Sequence, residues 1–410
     1  MSDTAAVLDA QDPLAPLRAL FKLDADTAYL DGNSLGALPL AVVDAVQEVV
    51  LGEWGADLIA SWNKHAWIDL PVSVGEKIAP LIGAAPGQVV CTDSISINLF
   101  KLLATALALQ PERRVILAAE GDFPTDGYMA QGLVQLLGEA RCDLRRVPAD
   151  RIEEGLDADV AVLMLTQVNY RSGECYDMSA ITRAAQDAGA LVLWDLAHSA
   201  GVMPIALDAL NVDMAVGCGY KYLNGGPGSP AFLYLSQRHQ DRVTQPLSGW
   251  LGHARPFDFA PDYAAAPGVR AYQGGTPPII SMVALDAALD VYSRTNLEAI
   301  RSKSLALTGF FMELLGTRGL LEVTECLTPQ EPDRRGSQVS LRHPEAWGIS
   351  QALIEAGIVV DFRAPDIVRF GFAPLYNSFA EAARAVDTLA VILEQQHYRD
   401  PRFAARPTVT

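Results

Sequence analysis

Residues 191–230 read LVLWDLAHSAGVMPIALDALNVDMAVGCGYKYLNGGPGSP, and the fold is decided there. One apolar run ends in Asp195, with His198 three residues on. A second, DMAVGC, ends in Gly219-Tyr220-Lys221. Both predict buried strands that deliver polar groups at their ends. Open α/β sheets collect ligands at the carboxyl ends of their strands. A carboxylate, an imidazole, a phenol and an amine in that arrangement suit pyridoxal phosphate, with Lys221 as the residue that holds the cofactor covalently.

Outward from this stretch, helical and strand patterns alternate. Helices are predicted over 39–60, 96–109, 126–138 and 179–188, and strands over 114–119, 160–165, 191–194, 213–217 and 231–235. Short apolar strands separated by amphipathic helices predict an α/β domain whose mostly parallel sheet is covered on both faces. After Pro277-Pro278 the pattern changes. Helices over 279–298 and 300–316 precede strand-like runs at 320–323, 337–341, 357–360 and 367–371, then a last helix over 378–396. A smaller α+β domain is expected there, completed by the N-terminal residues: 48–290 for the large domain, 1–47 with 291–410 for the small one. The tail from Tyr398 is expected to be loose.

Composition narrows the function classes. The chain has 410 residues, more than one typical core holds. A formal charge of -18 with no basic stripe argues against a nucleic-acid partner. Five scattered cysteines without a C-x-x-C pair fit reduced thiols in the cytosol and give no zinc site. The acidic N-terminus lacks the basic and apolar regions of a signal peptide, and no apolar segment has the length of a membrane span. A cytoplasmic protein is expected.

Each polar group admits a structural role beside a chemical one. Asp195 could keep a pyridine nitrogen protonated or simply cap a helix, and His198 could line the same pocket or be a satisfied structural residue. Lys221 follows an apolar strand and precedes Gly225, Gly226 and Gly228, where a ligand can approach the backbone closely. A lysine desolvated in that place has a lowered pKa and is a competent nucleophile. Ser94-Ile95-Ser96 opens the helical run LFKLLATALAL, so it can cradle a phosphate as well as cap the helix. Phe123 in FPTD could stack on a planar ring or belong to the core. Trp250 in SGWLGH and Thr276 in QGGTPP lie in glycine-rich loops, and Arg369 could fork onto a carboxylate or form an ion pair. No G-x-G-x-x-G or G-x-x-x-x-G-K-[ST] motif occurs, so dinucleotide and P-loop functions lose support.

Taken together, YLDGNSLG (29–36), DSISINLF (93–100), FPTD (123–126), WDLAHSAG (194–201), GYKYLNGGPG (219–228), GWLGH (249–253), GGTPPI (274–279) and VRFGFAPLYNSF (368–379) resemble the kynureninases, pyridoxal-phosphate enzymes of fold type I. The resemblance runs from Tyr29 to Phe379. It implies hydrolysis of L-kynurenine to anthranilate and L-alanine by Cβ–Cγ cleavage, in tryptophan breakdown or NAD synthesis. It implies that Lys221 holds the cofactor, Asp195 contacts its pyridine nitrogen and Phe123 stacks on its ring. His198 would help hold the cofactor, Asp126 would position the site and Thr166 would lie near the ring; Ile95, Ser96 and Tyr220 would reach the phosphate, and Tyr220 would also relay protons. Trp250 and Thr276 match residues that kynureninases contribute to the cofactor site across a dimer interface, which implies a homodimer. Arg369 matches the arginine for the substrate's α-carboxylate, and Trp62, Trp250 and His253 are candidates for the aniline slot. Thr276, where vertebrate enzymes carry Asn, implies a preference for kynurenine over 3-hydroxykynurenine.

Two rivals share the scaffold. A cysteine desulfurase or selenocysteine lyase would need a nucleophilic cysteine on a mobile loop, and Cys326 in TECLTPQEPDRRG lacks that family's surrounding motif. A non-catalytic cofactor-binding protein would have no need of Asp195, His198, Lys221 and Arg369 as a set.

Overall fold

The computed structural model describes residues 2–403 and 405–406. Its centre is a seven-stranded sheet formed by β1 (Val89–Cys91), β2 (Val115–Ala119), β3 (Asp143–Val147), β4 (Val160–Thr166), β5 (Leu191–Asp195), β6 (Met214–Cys218) and β7 (Ala231–Leu235). The spatial order is β1-β7-β6-β5-β4-β2-β3. Strand β7 runs antiparallel to both neighbours, and every other pair is parallel. Side chains alternate between the faces as the pleat requires. Leu163, Leu165, Val192 and Trp194 enter one apolar cluster, while Val162, Met164, Leu191 and Leu193 enter the other. Both faces are covered, so these strands are continuous apolar runs rather than alternating ones. Helices Ile95–Leu109 and Pro124–Leu137 cover the second face, and Leu70–Ile78, Met178–Asp187 and Ile279–Leu289 cover the first.

A four-stranded sheet of β8 (Glu325–Cys326), β9 (Gln338–Arg342), β10 (Asp361–Arg363) and β11 (Ile367–Gly371), ordered β8-β9-β11-β10, carries the C-terminal core. Leu307, Phe311, Phe370 and Leu389 pack there with Ala5, Ala28 and Leu30 from the N-terminal segment. Asp9 accepts hydrogen bonds from the amides of Phe379 and Ala380 at 2.7 and 3.0 Å, tying the first helix, Ser2–Gln11, to the start of the last, Phe379–Glu394. Ser378 and Glu381 close a capping box at the same place.

Several expectations need correction. The run 320–323 forms a 3-10 turn at Leu320–Glu322, and the strand follows at Glu325–Cys326. Gly319 enters the turn with φ +68°, which starts a tight turn rather than an extended segment. The helix read as 279–298 ends at Leu289 and gives way to a 3-10 segment over Asp290–Arg294. The helix read as 39–60 is α-helical over Leu40–Glu48 and continues in π-helical turns over Val49–Asp57. The tail is not loose at Tyr398, which is buried. The Trp347 indole donates to the Phe403 carbonyl at 2.6 Å, and short helical turns run to Phe403. Residues 404 and 407–410 lie outside the described residues.

Candidate active site

At the carboxyl ends of β4, β5 and β6 the backbone delivers Thr166, Asp195 and, just past β6, Tyr220 and Lys221 into one cavity of about 220 Å³. Ile95 and Ser96 open a helix there, with Ser94 at the N-cap, and so present first-turn amides that have no partner within the helix. Phe123 and Asp126 come from the start of the helix after β2, and His198 from the turn after β5. Thus Ile95, Ser96, Phe123, Asp126, Thr166, Asp195, His198, Tyr220 and Lys221 line a single space. The approach of the N-terminal segment to Lys221 is close: a Cβ on Gly36 would lie 2.3 Å from the Lys221 carbonyl oxygen. Only glycine ends YLDGNSLG without pushing that turn away.

The Lys221 amine lies 2.9 Å from His198 Nε2. Burial lowers the lysine's pKa, against the pull of Cys218 and Asp195. Burial, then the Lys221 and Arg369 charges, hold the His198 imidazole well below its usual range. A neutral imidazole accepting from the amine carries its own proton on Nδ1, and that buried atom has no partner among the described residues. Asp195 is buried, its Oδ1 accepts from the Ala197 amide at 2.8 Å, and burial raises its pKa against the Lys221 charge. Asp126 is equally buried, and among the described residues neither of its carboxylate oxygens has a hydrogen-bond partner. Burial and the Asp195 charge push its pKa well up. Asp122, which the sequence reading did not single out, accepts from the Thr166 hydroxyl at 2.7 Å and from the Thr166 amide at 3.2 Å. Burial pushes it up to about 7.

Among the described residues this buried acidic cluster has one amine beside it, Lys221, and is short of cationic hydrogen-bond donors. The residues present therefore fit pyridoxal phosphate. Asp195 and the orphaned Asp126 suit a protonated ring nitrogen, Phe123 has a ring 42 % exposed for stacking, and the helix amides with Ser96 suit a phosphate. Tyr170, also missed from sequence, lines the same cavity and meets Phe123 edge-to-face at 5.2 Å.

The remaining expected residues lie elsewhere in the chain. Arg369 is 1 % exposed and does not line the cavity. It pairs bidentately with Asp361, donates to the Tyr170 carbonyl at 2.6 Å, and donates to Ser34 at 3.0 Å. Asp361 and Arg369 face each other across the β10–β11 ladder, a partnership the hairpin DFRAPDIVR could have disclosed. Trp62 and Thr276 line a separate apolar groove together with Trp54, Trp67 and Ile279. Trp250 is 40 % exposed and packs on Phe257. Both ring nitrogens of His253 are engaged locally, with the Arg255 amide and the Asp262 carbonyl. Cys326 is partly buried outside the cavity, with its pKa raised by burial.

The fold is that of the fold-type-I pyridoxal-phosphate enzymes. A variant of C-DES with glycine covalently linked to its PLP cofactor superposes with a TM-score of 0.78 at 20% identity, over 91% of this chain and 98% of that one. The cysteine desulfurase CsdA from Escherichia coli gives a TM-score of 0.76 at 22% identity, over 93% and 98%. Sequence is more specific than fold. Residues 300–389 match the kynureninase C-terminal domain. The chain is 50% identical over its full length, and 99% of the relative's, to a kynureninase of Burkholderia pseudomallei. It is 48% identical to a kynureninase of Pseudomonas fluorescens over 98% of each chain. The chain belongs to the kynureninase family.

Proposed function

We propose that this protein hydrolyses L-kynurenine to anthranilate and L-alanine, using pyridoxal phosphate held at Lys221. The observation that carries the reading is the cavity itself, where Lys221, His198 and the Asp195–Asp126 pair converge at the strand ends of a chain with kynureninase relatives along its whole length. The bound cofactor supplies an electron sink that makes the substrate's Cα–H acidic and permits Cβ–Cγ cleavage.

The chain's own groups do the rest. Asp195 holds the proton at the pyridine nitrogen, and Asp126 supports it from the same wall. Lys221, as a free amine, would take the α-proton. Its lowered pKa increases the fraction of free amine available for this step. His198, neutral, accepts from the Lys221 amine and fixes its direction. Tyr220 lines the cavity beside Lys221 and relays protons in the later transfers. Arg369 receives the substrate carboxylate, and it already donates to the carbonyl of Tyr170, a residue that lines the cavity. Water attacks the γ-carbonyl, its hydroxyl stays with the departing acyl group to make anthranilate, and a proton restores the alanine methyl.

The active unit in this reading is a homodimer. Trp54, 55 % exposed, borders the apolar groove that also holds Trp62, Trp67 and Thr276, and a second copy covers it. Thr276 and Trp250 then face the partner's cavity, and Thr276 favours kynurenine over 3-hydroxykynurenine. The five unpaired thiols support a cytoplasmic setting, in tryptophan breakdown. Among the described residues no helix is long and apolar enough to cross a membrane. The test is anthranilate fluorescence from kynurenine beside sulfide release from cysteine. Anthranilate without sulfide supports the reading, and sulfide without anthranilate overturns it.

A further inference from the structure

Lys101 is 1 % exposed, two helical turns inside Ile95–Leu109, and its amine does not line the Lys221 cavity. A buried amine needs partners, and among the described residues it has two. Its Nζ meets Asp93 Oδ2 at 2.5 Å and also donates to the Tyr272 carbonyl.

Each partner anchors a different functional loop. Asp93 turns the chain from β1 into the phosphate-side helix with φ +48°, a left-handed conformation that costs a non-glycine residue free energy unless its surroundings hold it. The Thr92 hydroxyl, at 2.8 Å, and the Lys101 amine both fix the Asp93 carboxylate, and Ser94-Ile95-Ser96 follow directly. Tyr272 lies immediately before Gln273-Gly274-Gly275-Thr276. Its hydroxyl bonds Thr105 at 2.8 Å, one turn beyond Lys101 on the same helix. The Gly274 carbonyl in turn accepts from the Leu251 amide at 3.2 Å. There GWLGH docks so tightly that a Cβ on Gly249 would lie 2.3 Å from that carbonyl oxygen.

We infer that Lys101 is a positioning residue that ties the cofactor's phosphate cradle to the loop pair carrying Thr276 and Trp250, and so links one subunit's cofactor site to its partner's substrate site. The second half of this statement rests on the shared-site reading above.

Lys101→Met keeps the chain length and removes the amine. It should raise the dissociation constant for pyridoxal phosphate about tenfold or more, while that for pyridoxal, which lacks the phosphate, changes less than about threefold. At saturating cofactor, KM for kynurenine should rise about tenfold with kcat nearly unchanged. Adding Asp93→Gly, which takes a positive φ freely, should recover phosphate affinity but not KM, because the Tyr272 carbonyl still lacks its donor. Thr105→Val, a milder cut, should raise KM and leave the ratio of cofactor affinities alone. It also carries the test where Lys101→Met does not fold. Equal weakening for pyridoxal and pyridoxal phosphate would overturn the cradle half, and an unmoved KM in both variants would overturn the link. A wild type that sediments as a fully active monomer would sink the shared-site reading, separately from the cradle result.

Discussion

Arg369 is assigned to the substrate carboxylate, yet it already holds another carboxylate, and that conflict can be worked into numbers. Removing its side chain in Arg369→Ala leaves Asp361 buried with Arg363 at 2.8 Å and the Ser34 hydroxyl at 2.6 Å as its remaining partners. Breaking a buried ion pair by deleting one partner costs about 3–5 kcal/mol, and the retained Arg363 contact should bring this toward the lower end. If Arg369 also binds substrate, a lost bidentate, charge-assisted contact of about 3–4 kcal/mol lowers kcat/KM about 10²- to 10³-fold. A single variant cannot separate the two effects. The double variant Arg369→Ala/Asp361→Ala can, because it also removes the orphaned carboxylate. Thermal denaturation should show the double variant more stable than Arg369→Ala, while continuous anthranilate fluorescence should show kcat/KM equally low in both. A double variant whose kcat/KM returns to within about threefold of wild type would refute the reasoning, since so small a change is under about 0.7 kcal/mol. Arg369 would then serve only as the counter-ion of Asp361.

Other outcomes follow from the same site. Asp122 has a folded-state pKa raised to about 7 from an ordinary 3.8, so the stability it contributes is fully present below pH 3.8 and is lost as pH rises toward 7. Thermal midpoints of the cofactor-free protein across pH 4–7 should fall less steeply in Asp122→Asn than in wild type, and parallel slopes would contradict the assignment. Phe123→Ala removes the exposed ring, so titration of the cofactor-free protein should show pyridoxal phosphate binding weakened about three- to tenfold, with unchanged affinity counting against stacking. Cys326 lies outside the cavity with a raised pKa, so Cys326→Ser should leave anthranilate production unaltered; a loss above about tenfold would revive a cysteine-based mechanism.

What could be read from sequence follows the physics of each element. Strands β2, β4, β5, β6 and β7 are buried on both faces and announce themselves as apolar runs. Strand β3, DLRRV, sits at the sheet edge with mostly half-buried side chains, and β1 has only three residues, so neither produced a period. The first helix, Ser2–Gln11, likewise has little amphipathic contrast and is fixed by its packing and by the Asp9 cap. Cavity residues were legible because strand ends and a helix start place them by local rules: Asp195, Lys221 and Ser96 follow directly from neighbouring apolar runs. Asp122 was missed although it adjoins Phe123, because its significance comes from Thr166, a partner on another strand. The Lys101 anchor shares that character, because its Tyr272 partner lies 171 positions along the chain. The Arg369–Asp361 pair does not: both residues belong to one hairpin and face each other across it, so that pairing was open to a local reading. Trp62, Trp250, Thr276 and His253 fall outside the cavity of their own chain, so motif reading could name them without placing them.

The central claim is that Lys221 holds pyridoxal phosphate and that this bond is required for turnover. Borohydride reduction of the holoenzyme followed by peptide mass spectrometry tests it directly. A cofactor adduct is expected on the peptide containing Lys221 and on no other lysine. Lys221→Ala should show neither adduct nor visible cofactor band and should make no anthranilate. An adduct on a different lysine, or a Lys221→Ala enzyme that still turns over kynurenine at the wild-type rate, would contradict it.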